Sequence, residues 1–329
     1  MTRKVVDPAA VSENEFAKEA KSSFADFFFR KSTGFFALLV AMVLIAILVS
    51  LGLEAWPALR NFGWKFLITT TWDPVSNQFG ALVFITGTLV TSAIAIVLAI
   101  PVSFGIALFI SELSPRWLRG PISAVIELLA AIPSIIYGMW GLLVFAPWFG
   151  NLEPWINDHL GAIPGVGLLF RGPPIGIGVL TAGIVLSIMI IPFISSVMRD
   201  VFMLTPATLK ESAYALGGTT WEVTRFVTLP FTRTAVTGGI FLGLGRALGE
   251  TMAVTFIIGN ANSLNSSLLL PGASIASVIA NEFTEATTHL YKSSLLALGL
   301  ILFLITFVVL ALAKLLLLHL ESRLEGRKS

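Results

Sequence analysis

The sequence predicts an all-α integral membrane protein with about six transmembrane helices and with both termini in the cytoplasm. The first observation is composition: 56% of the 329 residues are hydrophobic, 12% are charged and the mean hydropathy is +0.89, well above soluble domains. The second is a series of long apolar stretches. The third is an excess of Lys and Arg on one side of them. No alternating strand pattern competes with the helical one.

The composition also excludes several kinds of site. The chain has no cysteine, which rules out disulfides, thiol catalysis and cysteine-based metal centres. Its histidines, His159, His289 and His319, are too scattered for a metal site. The net charge of +2 is too small to indicate a nucleic-acid partner. We therefore expect no bound metal and no nucleic acid.

Residues 1–33 form a polar segment that we interpret as a cytoplasmic tail. A signal peptide would place its apolar stretch earlier, so no cleavage is predicted. The phenylalanines of this tail fit an amphipathic helix at the membrane surface, and a loosely ordered tail fits equally well. Residues 34–320 form the predicted six-span domain, and residues 321–329 form a second cytoplasmic tail.

Six apolar stretches are long enough to cross the hydrocarbon core, which requires about 20 helical residues. Pro101 and Pro133 lie within the second and third stretches, where proline removes a backbone donor and bends a helix. We therefore predict kinks or tilts at both positions. The predicted spans are residues 34–53, 80–111, 122–149, 174–197, 236–259 and 294–318.

The distribution of Lys and Arg predicts the direction of the spans. Most of the 21 basic residues lie in the two terminal tails and in the loops after the second and fourth spans. The loops on the other side carry only Arg60, Lys65, Arg171 and Lys292. Because positive charge favours the cytoplasmic side, both termini are predicted to be cytoplasmic. Trp72 and the other outer-loop tryptophans are then expected to anchor the chain at the membrane interface.

A polar segment at 205–230, here called the polar island, separates the fourth and fifth spans. Thr205 is a potential N-cap for a first helix. Gly217 and the glycine after it are typical of a helix end. Thr219 and Glu222 have the spacing of a capping box that begins a second helix.

Apolar residues recur at helical spacing on both helices of the polar island. The two faces consist of Leu209, Ala213 and Leu216 on the first helix and Val223, Phe226 and Val227 on the second. Pro230 is expected near the end of the second helix. Such a pair can insert into a groove on a partner protein or lie on the bilayer surface.

Two charged residues lie within the predicted fifth span. Arg246 is about 15 Å from its cytoplasmic end, and Glu250 follows one turn later on the same face. Each charge is costly in a lipid-facing helix, so both should face protein or a water-filled path. Either they neutralise each other and fix helix packing, or Arg246 binds an anion and Glu250 positions it or competes with the substrate. Gly239 and Gly243 have a spacing that favours close helix contact.

Three polar residues of the predicted third span are further candidates. Glu127 lies about one and a half turns from the cytoplasmic face, where it either reaches out to water or acts in a gate. Ser134 and Tyr137, beside Pro133, are able to donate to an oxyanion or to a backbone carbonyl that the proline leaves free. For Ser134 the backbone carbonyl is the better fit.

The polar island resembles the Glu-Ala-Ala loop of ABC-importer permeases. The family pattern is Glu-Ala-Ala, three residues, Gly, nine residues and Ile-x-Leu-Pro. Here it reads Glu211-x-Ala213-x-x-x-Gly217, nine residues and Val227-x-Leu229-Pro230, with Ser212 in place of the first Ala and Val227 in place of Ile.

This resemblance implies that residues 198–235 form a cytoplasmic coupling loop that docks on a dimer of ATPase subunits, with Glu211 and Gly217 as marker residues. The chain contains no Gly-x-x-x-x-Gly-Lys-Ser/Thr motif, the usual cradle for nucleotide phosphates. We therefore expect no cofactor on this chain, with ATP and Mg²⁺ on the partner ATPase. The chain is accordingly expected to be a transport subunit and not an enzyme.

Two further segments resemble phosphate-specific ABC permeases, and the Met-Ala-Val ending of the first favours the C-subunit type over the A-subunit type. They are residues 245–254, Gly-Arg-Ala-Leu-Gly-Glu-Thr-Met-Ala-Val, and residues 127–141, Glu-Leu-Leu-Ala-Ala-Ile-Pro-Ser-Ile-Ile-Tyr-Gly-Met-Trp-Gly. The resemblance covers about residues 35–320. It implies a type I importer fold and a path for inorganic phosphate that includes Arg246 and Glu250.

The same resemblance implies a multi-pass protein of the bacterial inner membrane that works by alternating access. Its implied partners are a homologous A-type permease, the ATPase dimer, an external phosphate-binding protein and membrane lipid.

Three alternatives stay open on the sequence. A permease for molybdate or sulfate would share the same architecture. A gradient-driven secondary transporter would need no ATPase-docking loop and often has inverted repeats, which are not visible here. A membrane scaffold or sensor would use Arg246 and Glu250 only to fix packing.

Overall fold

The computed structural model describes the backbone of residues 8–325 and the side chains of residues 26–315 and 317. This part of the chain is helical, with no strand beyond two isolated bridges. The chain divides into two units, Met1–Leu53 and Glu54–Ser329. The helices are α1 (Pro8–Phe62), α2 (Lys65–Ile68), α3 (Leu82–Leu108), α4 (Arg116–Ala131), α5 (Ser134–Trp140), α6 (Ala146–Leu160), α7 (Val179–Met203), α8 (Ala207–Ala215), α9 (Thr220–Val223), α10 (Leu229–Leu248), α11 (Met252–Ile257), α12 (Ile275–Glu282) and α13 (His289–Glu325).

Six helices of the described residues are long and apolar enough to cross a membrane, which confirms the predicted all-α, six-span fold class. The cytoplasmic location of the termini stays a prediction. Short π-helical turns join some of the α-helices into these longer segments. The six are Asp26–Phe62, Leu82–Leu113, Ser134–Leu160, Val179–Met203, Thr220–Leu248 and His289–Leu315.

The first unit consists of the N-terminal part of α1. The helix is continuous from Pro8, so the part of the predicted tail from residue 8 to residue 33 is helical. Phe27, Phe28 and Phe29 are exposed. The side chains of residues 1–25 lie outside the described residues. A surface location for this segment stays a prediction, as do the tail boundaries at 1–33 and 321–329.

The third predicted span, 122–149, is broken and not merely kinked. Ile132 and Pro133 are extended, with ψ of 130° and 137°, and a new helix starts at Ser134. Proline has no N–H to donate and disfavours helical conformation in the residue before it, which explains the extended Ile132. Pro101 lies inside the continuous α3, so the chain is not broken there. A kink or tilt at Pro101 stays a prediction.

The fifth predicted span, 236–259, starts and ends earlier than expected. The second helix of the polar island runs through a π-turn at Thr224–Thr228 into α10, so one helix covers Thr220–Leu248. Pro230 therefore lies inside a helix and does not end one. Beyond Leu248 the backbone leaves the helix at 249–251 before α11 begins.

The main core surrounds α7, whose spanning segment is 61% buried, against 28% or less for the other five. Gly239 of α10 faces Val197, and Gly243 faces Ile194, at distances that leave no room for a Cβ. The GxxxG spacing thus works as predicted for this pair. Gly245 and Gly249, which have the same spacing, make no comparably close approach to another helix.

A second core joins the loop before α3 to α13. The ring centroids of Trp72 and Phe84 are 4.9 Å apart, and Trp72 is 7% exposed. Its indole N–H donates to Glu282 Oε2 at 2.7 Å, and the Tyr291 hydroxyl donates to the same oxygen at 2.6 Å. The expectation that Trp72 anchors the chain at the membrane interface is therefore wrong.

Candidate functional site

Arg246 lies two residues before the end of α10, close to the break in the fifth span. Its guanidinium carbon is 5.5 Å from the ring centroid of Phe193 on α7, a cation–π distance. The side chain is half-buried. Among the described residues, no carboxylate lies within ion-pair distance of it. A half-buried guanidinium without a carboxylate retains its donors for an anion.

Glu250 does not share a helix face with Arg246, contrary to the sequence prediction. It lies in the non-helical segment that separates α10 from α11, because α10 ends at Leu248. Its Oε1 accepts the backbone N–H of Ala253 at 3.2 Å. The first N–H groups of a helix have no partner within it, so Glu250 caps α11. The interpretation in which Arg246 and Glu250 neutralise each other finds no ion pair to support it.

The breaks in the third and fifth spans lie next to each other. The half-helices α5 and α11 pack through Gly138, where an added Cβ would stand 3.0 Å from the Ala253 Cα. Tyr137, the preceding residue, is close enough to Arg246 for electrostatic interaction. The two broken spans thus bring Tyr137, Arg246 and the Glu250 cap into one region.

Tyr137 bridges the break in the third span. Its hydroxyl donates to the carbonyl of Leu129, in the last turn of α4, at 2.9 Å. The sequence prediction assigned this kind of bond to Ser134, but within the described residues the Ser134 hydroxyl has no such partner. A role of either hydroxyl in the substrate path stays a prediction.

Glu127 lies on α4, outside the spanning helix that starts at Ser134. Its Oε1 accepts from Arg199 Nη2 at 2.9 Å, and Arg199 also binds Asp200 at 2.7 Å. The Arg199 side chain is 7% exposed, whereas Glu127 and Asp200 are 60% exposed. In the sequence, Arg199 is one of the basic residues of the loop after the fourth predicted span. Its partner is 72 residues away, and no local signal identifies it.

The polar island contains the predicted turn between two helices. Gly217 has φ of +87°, its N–H donates to the Tyr214 carbonyl, and the N–H of Gly218 donates to the Ala213 carbonyl. This is a Schellman motif. Thr219 and Glu222 form the predicted capping box. These two local predictions are confirmed.

Other features of the polar island differ from the sequence prediction. Thr205 does not cap α8, since its hydroxyl is buried without a partner and the helix starts at Ala207. Glu211 is exposed and Ala213 is half-buried. Leu229 packs against the core around α7. Of the two predicted apolar faces, Leu209, Leu216 and Phe226 are exposed, whereas Val223 is buried. Tyr214 and Trp221 are exposed beside them.

Comparison with known proteins identifies close relatives. A family model described as binding-protein-dependent transport system inner membrane component matches residues 99–324. The phosphate transport system permease protein PstC of Pasteurella multocida is 57% identical over 301 residues, which cover 91% of this chain and 93% of the relative. The protein of the same name from Xylella fastidiosa is 55% identical over 313 residues, covering 94% and 95%. A probable PstC of Methanocaldococcus jannaschii is 36% identical and covers 78% and 82%.

Solved structures support the fold independently. The chain matches a structure of a bacterial ABC transporter involved in the import of the acidic polysaccharide alginate with a TM-score of 0.54. The match covers 87% of this chain and 95% of that chain, at 17% identity. At this identity the likeness concerns the fold alone. Together with the relatives above, it confirms the resemblance to ABC-importer permeases of the phosphate-specific, C-subunit type.

Proposed function

The chain belongs to the family of binding-protein-dependent transport system inner membrane components, and from this membership we propose that it is the membrane-spanning permease subunit of an ATP-driven importer of inorganic phosphate. The proposal places it in the bacterial inner membrane with both termini in the cytoplasm. The names of its relatives support phosphate as the substrate.

One observation carries the site assignment. Arg246 is half-buried beside Phe193 and, among the described residues, is not neutralised by a carboxylate. A charged side chain in a membrane-spanning helix is costly unless it is paired or faces a polar path, and the planar donors of arginine suit two phosphate oxygens at once. We assign Arg246 as the phosphate contact of this chain. Tyr137 and Glu250 contribute by holding the two broken spans that surround it.

The chain has no nucleotide-binding motif of its own, so the proposal assigns ATP and Mg²⁺ to a partner ATPase dimer. The polar island, with Glu211 and Gly217, is the docking element for that dimer. A homologous A-type permease completes the path, and an external binding protein delivers phosphate. ATP binding and hydrolysis move the polar island and alternate the access of the site between the two sides.

Transport by the reconstituted complex tests this proposal. Vesicles that contain both permeases and the ATPase, with the binding protein outside, should take up radiolabelled phosphate when ATP is inside. Arg246→Gln should reduce uptake to background while the complex stays assembled. Arg116→Gln, an exposed arginine distant in sequence, is the control and should transport normally. Uptake of sulfate or molybdate in preference to phosphate would overturn the substrate assignment, and normal uptake by Arg246→Gln would overturn the site.

A further inference from the structure

Helix α8, the first helix of the polar island, has no buried residue. One of its side chains is nevertheless largely hidden. Lys210 Nζ forms an ion pair with Glu112 Oε1 at 2.5 Å, and the two side chains are only 17% and 7% exposed. Glu112 belongs to the π-turn Phe109–Leu113 at the end of the second span.

The Lys210 ammonium also donates to the carbonyl of Phe202, in the last turn of α7, at 3.4 Å. A positive charge is favourable at the C-terminal end of a helix. The Phe202 ring packs edge-on against Phe104 of α3, with centroids 5.8 Å apart. Lys210 therefore lies where α8 meets the ends of the second and fourth spans.

No other described side chain of α8 is found in a polar contact with the spanning helices. Ser212 donates within the helix, to Thr208, and Glu211 is exposed. Helix α8 also packs against α9 and the π-turn that follows it, at the start of the fifth spanning helix. Among the described residues, the Lys210–Glu112 pair is the polar side-chain contact that joins α8 to the second span.

This pair differs from an ordinary surface ion pair. Exposed pairs contribute little, because water competes for both charges. Removal of one member of a shielded pair leaves the other charge uncompensated in a poorly solvated place. A displacement of α8 therefore carries Glu112 with it, because separation of the two charges is costly.

We propose that the Lys210–Glu112 ion pair transmits movement of α8 to the second span and so couples the ATPase cycle to opening of the phosphate path. This inference rests on the proposed function, since it assumes that α8 is moved by a docked ATPase. It assigns a mechanical role to two residues outside the substrate path and outside the exposed docking surface.

The competing explanation is that the pair only holds α8 in place. The two roles predict different results for the amount of bound ATPase and for the phosphate transported per ATP. A purely structural pair, when broken, would lower the amount of ATPase bound to the permease. A transmitting pair, when broken, would leave the ATPase bound and active but lower the amount of phosphate transported per ATP hydrolysed.

The experiment uses the full reconstituted complex with Lys210→Met, Glu112→Gln and the charge-retaining Lys210→Arg. Arg116→Met serves as the control, since Arg116 is an exposed cation four positions from Glu112 and has no ion pair among the described residues. Subunit stoichiometry, ATP hydrolysis and phosphate uptake are measured on the same vesicles. We expect Lys210→Met and Glu112→Gln each to lower phosphate transported per ATP about tenfold, within the usual range of coupling between linked sites. Lys210→Arg and Arg116→Met should stay within about twofold of wild type.

Three results would overturn the inference. They are an unchanged ratio in both charge-removing variants, loss of the ATPase from those complexes, and a Lys210→Arg variant as uncoupled as Lys210→Met. If Lys210→Met does not assemble, Glu112→Gln decides, because it changes no residue of the polar island. If the wild-type complex hydrolyses ATP but transports no phosphate, the proposed function fails instead.

Discussion

The Nη2 atom of Arg199 lies 2.9 Å from Oε1 of Glu127, so α7 is tied by charge to the helix that precedes the break in the third span. The arginine side chain is almost fully enclosed, while both of its carboxylate partners reach solvent. Its Nη1 atom is buried without a partner. Arg199 is therefore the buried member of this cluster. Replacing the arginine and replacing its two carboxylate partners should change the stability of the protein by different amounts.

We predict that Arg199→Met leaves the folded protein as stable as the wild type or slightly more stable. The change removes an incompletely satisfied buried charge and replaces it with an apolar side chain of similar length, an exchange that is often neutral or favourable. The paired change Glu127→Ala with Asp200→Ala should destabilise by about 3 kcal/mol, because it leaves the guanidinium buried and unpaired. Thermal unfolding of the purified protein in detergent measures both. Greater destabilisation by Arg199→Met than by the double variant would contradict the prediction.

A second prediction concerns the Glu250 cap. Gln at this position keeps an oxygen that accepts the Ala253 N–H, whereas Leu does not, so Glu250→Leu should cost about 1 kcal/mol more than Glu250→Gln. If capping of α11 is what transport requires, Glu250→Gln retains most phosphate uptake and Glu250→Leu loses it. Equal loss in both variants would show instead that the negative charge itself is needed.

Substitutions at Gly217 test the effect of backbone strain alone, because a side chain at this position would meet no neighbouring atoms. No atom lies within 4 Å of the position that a Cβ would occupy, but φ is +87°. Gly217→Ala and Gly217→Val should therefore weaken the turn through strain of about 1–2 kcal/mol, and Gly217→Asn should be milder, because Asn tolerates this region better. Copurification of the ATPase with each variant measures docking. The order Asn, Ala, Val from strongest to weakest binding is expected, and equal binding by all three would argue against a role for the turn.

The cysteine-free chain allows a clean test of orientation. Ser212 is exposed on α8, so Ser212→Cys should react with a membrane-impermeant maleimide only from the cytoplasmic side. Lys65→Cys, exposed in α2 beyond the first spanning helix, should react only from the other side. Reversal of both results would invert the proposed topology.

The features that were predictable from sequence are those with local causes. Gly217 ends α8 and the Thr219–Glu222 box starts α9, because glycine backbone freedom and short side-chain bonds act over a few residues. Four of the six spanning helices follow in outline from their apolar stretches. The third predicted span was misplaced because Pro133 breaks the backbone completely. The fifth was misplaced because its helix begins inside the polar island and ends at Leu248.

The features that escaped prediction depend on distant partners. No proline marks the break at 249–251. If the helix continued through this segment, Glu250 would lie beside Arg246, but that spacing applies only within one continuous helix. The Arg199–Glu127 and Lys210–Glu112 pairs join residues 72 and 98 positions apart. Their charges are visible in the sequence, but their pairing is decided by how α4, α7 and α8 pack.

Gly138 sets the separation of the two broken spans. With only a hydrogen in place of a side chain, it lets the backbones of α5 and α11 touch, and even one methyl group would act as a spacer between them. Gly138 thus limits the width of any passage beside these half-helices, although it has no side-chain group that could bind a substrate. A graded series at this position, from Gly to Ala to Val, would enlarge the side chain by one carbon and then by two more, and would show how close α5 and α11 must be for transport.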